Sequence, residues 1–290
     1  MSPNLKRSQD HYQENVLDPE AWFKIADRDY VELINSVDFQ ALFSSFNSPV
    51  DLLDVGCGTG KFPSMLREHL HKDSEINYDY LDPSSHCLSK TYSTLISPYH
   101  KRHAFHTTLE DLSTKFVPLS GYNVAWAIHS LYCVDQTSIV EVVDKLIKLT
   151  NPDNGVAMII MANRDAFYHH IYDLYNHLFY HGSKNSFTAA EDITDALELL
   201  DKEAFVKQLQ FEHVIPAAEY GLLEKYLHKC VFENLPLDMW MENTIMREFL
   251  SSYSDGKVYR FPQEVSVIMV SANADKSGEL KRYWRKLEGV

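Results

Sequence analysis

At 290 residues, with 45% hydrophobic and 23% charged side chains, the composition is that of a soluble globular protein with room for one large domain and an insertion. A net charge of −14 without any Lys/Arg stripe argues against a nucleic-acid partner, whose phosphates require clustered cations, and against docking on an anionic membrane. The polar opening MSPNLKRSQDHYQENVLDPE is not a signal peptide, and no apolar run approaches the roughly 18 residues of a membrane span, so a cytoplasmic protein is expected.

In chain order, residues 1–17 read as a polar lead-in. The spacing of Trp22, Phe23, Ile25, Ala26, Tyr30, Leu33, Ile34 and Val37 predicts one or two helices between Pro19 and Phe46, ended by Asn47-Ser48-Pro49. Residues 1–48 therefore form an expected N-terminal helical cap. Strands and helices then alternate. Strands are predicted at Val50–Val55, Ile76–Leu81, His103–Thr107, Tyr122–Ile128 and Val156–Met161, and helices at Lys61–Leu70, Ser84–Leu95 and Ser138–Leu149. This rhythm predicts an α/β, Rossmann-like core over 49–164, with a mostly parallel seven-stranded sheet covered by helices on both faces.

After residue 164 the rhythm changes. Helices are predicted through the aromatic stretch DAFYHHIYDLYNHLFYHG, on to Leu200 and over Phe205–Leu209, followed by a strand in FEHVIPAAEY and helices at Leu222–Phe232 and Met239–Leu250. Residues 165–260 are read as a helical, substrate-binding insertion carrying one further core strand. Residues 261–290 hold the last strand, Glu264–Ala272, and a charged tail.

Within residues 51–62, DLLDVGCGTGKF, three of the ten glycines in the chain fall at alternate positions, Gly56, Gly58 and Gly60. Such density means that backbone must come close to something. A phosphate-binding P-loop would need glycine where Val55 stands and a hydroxyl where Phe62 stands, and a dinucleotide fingerprint would need glycine in place of Lys61. A bare strand-to-helix turn needs fewer glycines than three in five residues.

The remaining pattern, an apolar strand ending in Asp54 followed by G-x-G-x-G, resembles motif I of the class I methyltransferases that use S-adenosylmethionine (SAM). The resemblance implies that Gly56, Cys57, Gly58 and Gly60 lie against the methionine part and ribose of SAM, with Asp54 near its amino group. It also implies a ribose-binding acid at the next strand end, where Asp82-Pro83 stands 22 residues after Gly60; an N-cap is the other reading of Asp82. In TTLEDL, Thr108, Leu109 and Glu110 occupy the family's adenine-contacting place, although Glu110-Asp111 also reads as a helix start.

The stretch AIHSLYCVD, the order of elements and the ending FPQEVSVIMVSA resemble more closely histamine N-methyltransferase and its small-molecule relatives. Carried over, Ile128 packs near the adenosine. His129 stands in place of a glutamine, Gln263 in place of an asparagine that contacts the substrate amine, and Asp27 in place of a substrate-binding glutamate. The departures at His129 and Gln263 mean that histamine itself is not implied.

His129, at the end of a central strand, is the expected catalytic base, with simple hydrogen bonding to ligand or loop as the alternative. Tyr132 reads as a pocket wall or as packing. Trp22, Phe23, Tyr168, Tyr172, Trp240 and Phe261 are reserve pocket residues. His177 and His181 have i, i+4 spacing, but methyl transfer from a sulfonium needs no metal and none is expected. The four cysteines, Cys57, Cys87, Cys133 and Cys230, have no zinc or redox spacing and read as free thiols.

The expected activity is therefore SAM-dependent methylation of a small molecule, at nitrogen, by a protein read as a monomer. An O- or C-methyltransferase of secondary metabolism and a non-catalytic SAM-binding scaffold are the alternatives.

Overall fold

The computed structural model describes residues 19–285 together with Lys6 and Asp10; of residues 19–23 only the backbone is described. The strands are β1 Val50–Val55, β2 Ile76–Leu81, β3 Tyr99–Phe105, β4 Val124–Ile128, β5 Val156–Ala162, β6 Ala204–Pro216 and β7 Val258–Ser271. They form one sheet in the order β3-β2-β1-β4-β5-β7-β6. The strands from β3 to β5 are parallel, and β7 runs antiparallel to both β5 and β6. The sheet is thus the expected seven-stranded, mostly parallel one of a class I methyltransferase fold.

Strand alternation divides the core between the two faces. On β4 and β5, Ala125, Ala127, Ala157, Ile159 and Met161 face one side. Val124, Trp126, Ile128, Met158 and Ile160 face the other. Every residue of β5 is buried, which explains its unbroken apolar run. Each fully buried Ile or Met there contributes about 1.5–3 kcal/mol.

The covering helices are amphipathic. The pair α1 Pro19–Ser36 and α2 Phe39–Ser44 places Leu33, Ile34, Phe39 and Phe43 on the Trp126 side. The short α3 Lys61–Leu66 and α4 Ser85–Thr94 join that side through Phe62, Leu66 and Leu88. On the opposite side α5 Ile139–Lys148 buries Ile139, Val142, Val143, Leu146 and Ile147, the i, i+3, i+4 stripe of a surface helix. The remaining helices, α6 Phe167–Tyr180, α7 Ala190–Leu199, α8 Tyr220–Val231, α9 Leu237–Glu242 and α10 Thr244–Ser252, bury their apolar stripes on that side too.

Two predicted elements differ. Residues 205–209 are strand, not helix, because β6 begins at Ala204 and runs unbroken to Pro216, paired residue by residue with β7. Its inward set Leu209, His213 and Ile215 has the period of two that a helix reading overlooks. The helix predicted at 239–250 is two helices, because the Asn243 side chain caps α10 by accepting from the N–H groups of Ile245 and Met246. No helix among the described residues is long and apolar enough to cross a membrane.

Candidate functional site

The strand order reverses between β1 and β4, and at such a point an open α/β sheet binds ligands beyond its carboxyl ends. A cavity of about 210 Å³ lies there, bordered by the ends of β1, β2 and β4.

Its first wall is the glycine turn. The N–H groups of Gly56 and Cys57 both donate to the Leu81 carbonyl, at 2.8 and 3.0 Å, which ties the turn to the end of β2. Gly56 has φ +70°, and a Cβ there would lie 2.4 Å from Ser130 Cβ, so the loop after β4 leaves room only for glycine. Gly58 also has positive φ, +53°, but a Cβ there would meet nothing within 4 Å. Gly56, Cys57 and Gly58 line the cavity. Gly60 does not; at φ +75° it caps α3 and packs on Thr91.

Asp82 is held against this turn. Its Oδ2 accepts the Gly58 N–H at 3.0 Å and its Oδ1 the Ser84 N–H at 2.8 Å. The N-cap of α4 is Ser84, whose hydroxyl oxygen accepts the Cys87 N–H at 3.2 Å, so Asp82 is not spent on capping. Burial pushes the Asp82 carboxyl up to about 6 against those two N–H groups. Asp54, at the end of β1, accepts from the Tyr78 hydroxyl; burial first, and then the Asp82 charge, push it up to about 7. Pro83 and Ile128 complete this end. Thr108, Leu109 and Glu110 also border the cavity, and 109–111 is a turn rather than a helix start.

The second wall joins α1, β4, β6 and α8. His129 takes a left-handed φ of +52°, a conformation costing a non-glycine residue about 1–2 kcal/mol. Its Nδ1 lies 2.7 Å from the Tyr132 hydroxyl, whose oxygen accepts the Ala162 N–H at 3.1 Å. Its Nε2 lies 3.6 Å from Asp29 Oδ1. Asp29 Oδ2 in turn pairs with His213 Nε2 at 2.8 Å, and His213 Nδ1 with the Tyr226 hydroxyl at 2.9 Å. Gln263 donates its amide to the Tyr226 oxygen at 3.4 Å. All six of these side chains, with Ala162 and Lys229, border the cavity.

Burial holds the His129 imidazole below its ordinary pKa, with Asp29 opposing. Burial raises Asp29, but the charge and hydrogen bond of His213, aided by His129, outweigh it and leave the carboxyl below its ordinary value. Lys229 is 7% exposed, and burial lowers it to about 8.

Asp27 does not line the cavity. On α1 the residues that do are Ala26, Asp29 and Tyr30, spaced i, i+3, i+4, and Asp27 lies off that face. Asp29, His213, Tyr226 and Lys229 went unread in the sequence; an acid at the i+3 position from Ala26 was the available signal for the first. Tyr168 borders the cavity. Tyr172, Trp240 and Phe261 are buried in aromatic packing away from it, against Phe187, Tyr175 and Phe167 respectively. The side chains of Trp22 and Phe23 lie outside the described residues. His181 has φ +53° at the end of α6, so it does not continue the helical face of His177. Among the described residues no group of three or more His, Cys, Asp and Glu is arranged to hold a metal.

No curated protein matches the chain in sequence. Among solved structures, the fold is similar to that of mycolic acid cyclopropane synthase CmaA1 complexed with S-adenosylhomocysteine (SAH), with TM-score 0.57, 11% identity, and 93% of this chain and 99% of that one covered. A protein of Bacillus halodurans C-125 described as a methyltransferase gives 0.55 at 13% identity, covering 85% and 99%. The plantazolicin methyltransferase BamL, in complex with a triazolic desmethylPZN analog and SAH, gives 0.51 at 14% identity, covering 93% and 95%. At these identities the likeness is one of fold. In sequence, residues 27–201 match the methyltransferase domain family, a span of more than half the chain that includes the glycine turn, Asp82 and His129. The chain belongs to that family and is a SAM-dependent methyltransferase of class I.

Proposed function

We propose that the chain transfers the methyl group of SAM to a nitrogen of a small-molecule acceptor. The observation that carries this reading is one cavity with two unlike walls: an open glycine edge beside Asp82, and opposite it the Asp29–His129 pair.

The first wall fits the cofactor. At Gly58 the absent side chain leaves an open, left-handed backbone edge that any Cβ would obstruct. Ser130 Oγ, buried in the cavity wall, has no hydrogen-bond partner among the described residues. Asp82 offers its two oxygens to the ribose hydroxyls, Asp54 its carboxylate to the amino group, and Leu109 with Ile128 an apolar slot for the adenine. When bound, SAM supplies an electrophilic methyl group on a sulfonium with a neutral leaving group.

The second wall handles the acceptor. An amine attacks only as the free base, and its nitrogen becomes cationic once methylated. Burial keeps His129 neutral and therefore able to receive a proton, while Asp29, ionised beside it, stabilises the cation. The Tyr132 hydroxyl selects the tautomer. Donating to Nδ1 it leaves the ring proton on Nε2; accepting from Nδ1–H it frees Nε2 to act as base. At 3.6 Å apart, His129 Nε2 and Asp29 Oδ1 are both within hydrogen-bond reach, about 2.9 Å, of one acceptor nitrogen. Tyr30, Tyr168 and Phe232 supply aromatic faces that suit a cation.

Titration with SAH in a calorimeter, followed by incubation with methyl-labelled SAM and a metabolite extract, tests this. The expected outcome is saturable SAH binding and label on the nitrogen of one small product, with turnover lost in His129→Ala. Absence of SAH binding sinks the cofactor half. Label on oxygen or carbon removes the acceptor half.

A further inference from the structure

We infer that His213 is a positioning residue of the acceptor site: it anchors Asp29 so that one carboxylate oxygen is committed to the protein and the other is presented to the acceptor. This rests on the reading of Asp29 as the carboxylate that meets the acceptor.

His213 breaks the pattern of its strand. It stands between Leu209 and Ile215 in the inward set of β6, where apolar residues belong, and is only 4% exposed. A buried imidazole costs free energy unless both nitrogens are satisfied, and here both are. Ionised Asp29 can only accept, so the ring proton sits on Nε2, pointing at Asp29 Oδ2 2.8 Å away, and with that proton there Nδ1 accepts from the Tyr226 hydroxyl, whose oxygen also takes the Gln263 amide. The donor sequence Gln263, Tyr226, His213 thus ends on one oxygen of Asp29. The other oxygen, Oδ1, lies 3.6 Å from His129 Nε2, longer than a hydrogen bond, and Asp29 borders the cavity.

A free aspartate on a helix samples several rotamers, and a carboxylate that must meet a nitrogen within a few tenths of an ångström cannot. His213 removes that freedom and keeps the carboxylate charged. Tyr226 and Gln263 come from α8 and β7 and, with His213, lie beyond residues 27–201, the span that matches the family, whereas Asp29, which they hold, lies within it.

Two measurements decide the matter. In ligand-free protein labelled with 15N-histidine, imidazole NMR is expected to show His213 protonated at Nε2 and unprotonated at Nδ1, with a signal that moves in Asp29→Asn. A ring protonated at Nδ1 alone, or indifferent to Asp29→Asn, overturns the anchor. In steady-state methylation of the labelled metabolite, His213→Leu is expected to raise KM about 30-fold, the loss of one charge-assisted hydrogen bond, with a smaller effect on kcat. His213→Gln, whose amide still donates, is expected to recover to within about 5-fold. Equal losses in both variants, or no change of KM in His213→Leu, overturn it as well. SAH calorimetry separates this inference from the reading beneath it: both variants are expected to bind SAH as the unaltered protein does, whereas an unaltered protein that binds none ends the methyl-transfer reading and leaves the imidazole signals to decide the anchor alone.

Discussion

At Gly56 a methyl group would meet Ser130 Cβ at 2.4 Å, whereas at Gly58 it would meet nothing within 4 Å, although both residues have positive φ. The two glycines therefore separate fold from ligand. Gly56→Ala combines a strained φ with a clash against Ser130 Cβ, so it is expected to cost about 3 kcal/mol of stability and to abolish SAH binding. Gly58→Ala carries only the left-handed strain of about 1 kcal/mol. Its Cβ would nonetheless project from an edge that lines the cavity, so SAH affinity is expected to fall about 10-fold or more while the thermal transition barely moves. Melting curves and calorimetry on the pair check this, and equal damage in both variants contradicts the assignment of Gly58 to the ligand. The motif was legible because its chemistry is local: three glycines in five residues mean the same thing in any fold of this kind. The acid on α1 was not, because Asp27 and Asp29 differ only in which helix face they occupy. That face is set by packing against β6 and α8, elements remote in sequence.

At the scale of elements, the ends of β1 and β2 bring two buried carboxyls to one turn, which gives a pH dependence of definite sign. Burial pushes Asp54 up to about 7 and Asp82 to about 6 in the empty protein. An ammonium group or a pair of hydroxyls favours the ionised form of each. SAH affinity is therefore expected to rise from pH 5.5 to pH 8, with protons released on binding. Calorimetry in two buffers of different ionisation enthalpy measures that release, and an affinity flat over this range contradicts the roles given to the two acids. Stability of the empty protein runs the other way. A carboxyl whose folded pKa is raised contributes most below its ordinary value near 4, and that contribution is lost as pH rises through about 6 and 7. Elements were legible in proportion to how local their signals are. The alternation from β1 to β5 follows from apolar runs and capping residues, whereas 205–209 was read as helix although Leu209, His213 and Ile215 alternate. The stretch from Phe211, His213 included, reads as strand; that the same strand already begins at Ala204 is set by its pairing with β7, which is not a local signal.

For the whole molecule, one sheet carries both walls of the cavity. The glycine turn and Asp82 hang from β1 and β2, His129 from β4, His213 from β6 and Gln263 from β7, and the ladder from β1 through β4, β5 and β7 to β6 is continuous. Residues 165–260, read from sequence as an insertion, thus contribute an edge strand of thirteen residues paired along its whole length. An element so built cannot melt without exposing β7, whose inner half is buried against β5. Thermal unfolding of the described unit is therefore expected to occur in a single transition, and SAH is expected to raise it as a whole. At a free concentration 100 times Kd a ligand that binds only the folded state adds about 2.7 kcal/mol. For a chain of this size that corresponds to about 5 °C. Asp29→Asn, altered on the acceptor wall, is expected to keep that shift. Differential scanning calorimetry with and without SAH measures both. Two transitions, of which SAH moves only one, would mean that the segment carrying β6 and α8 folds apart from the cofactor half, and the acceptor wall would then have to be assembled by docking rather than by the sheet.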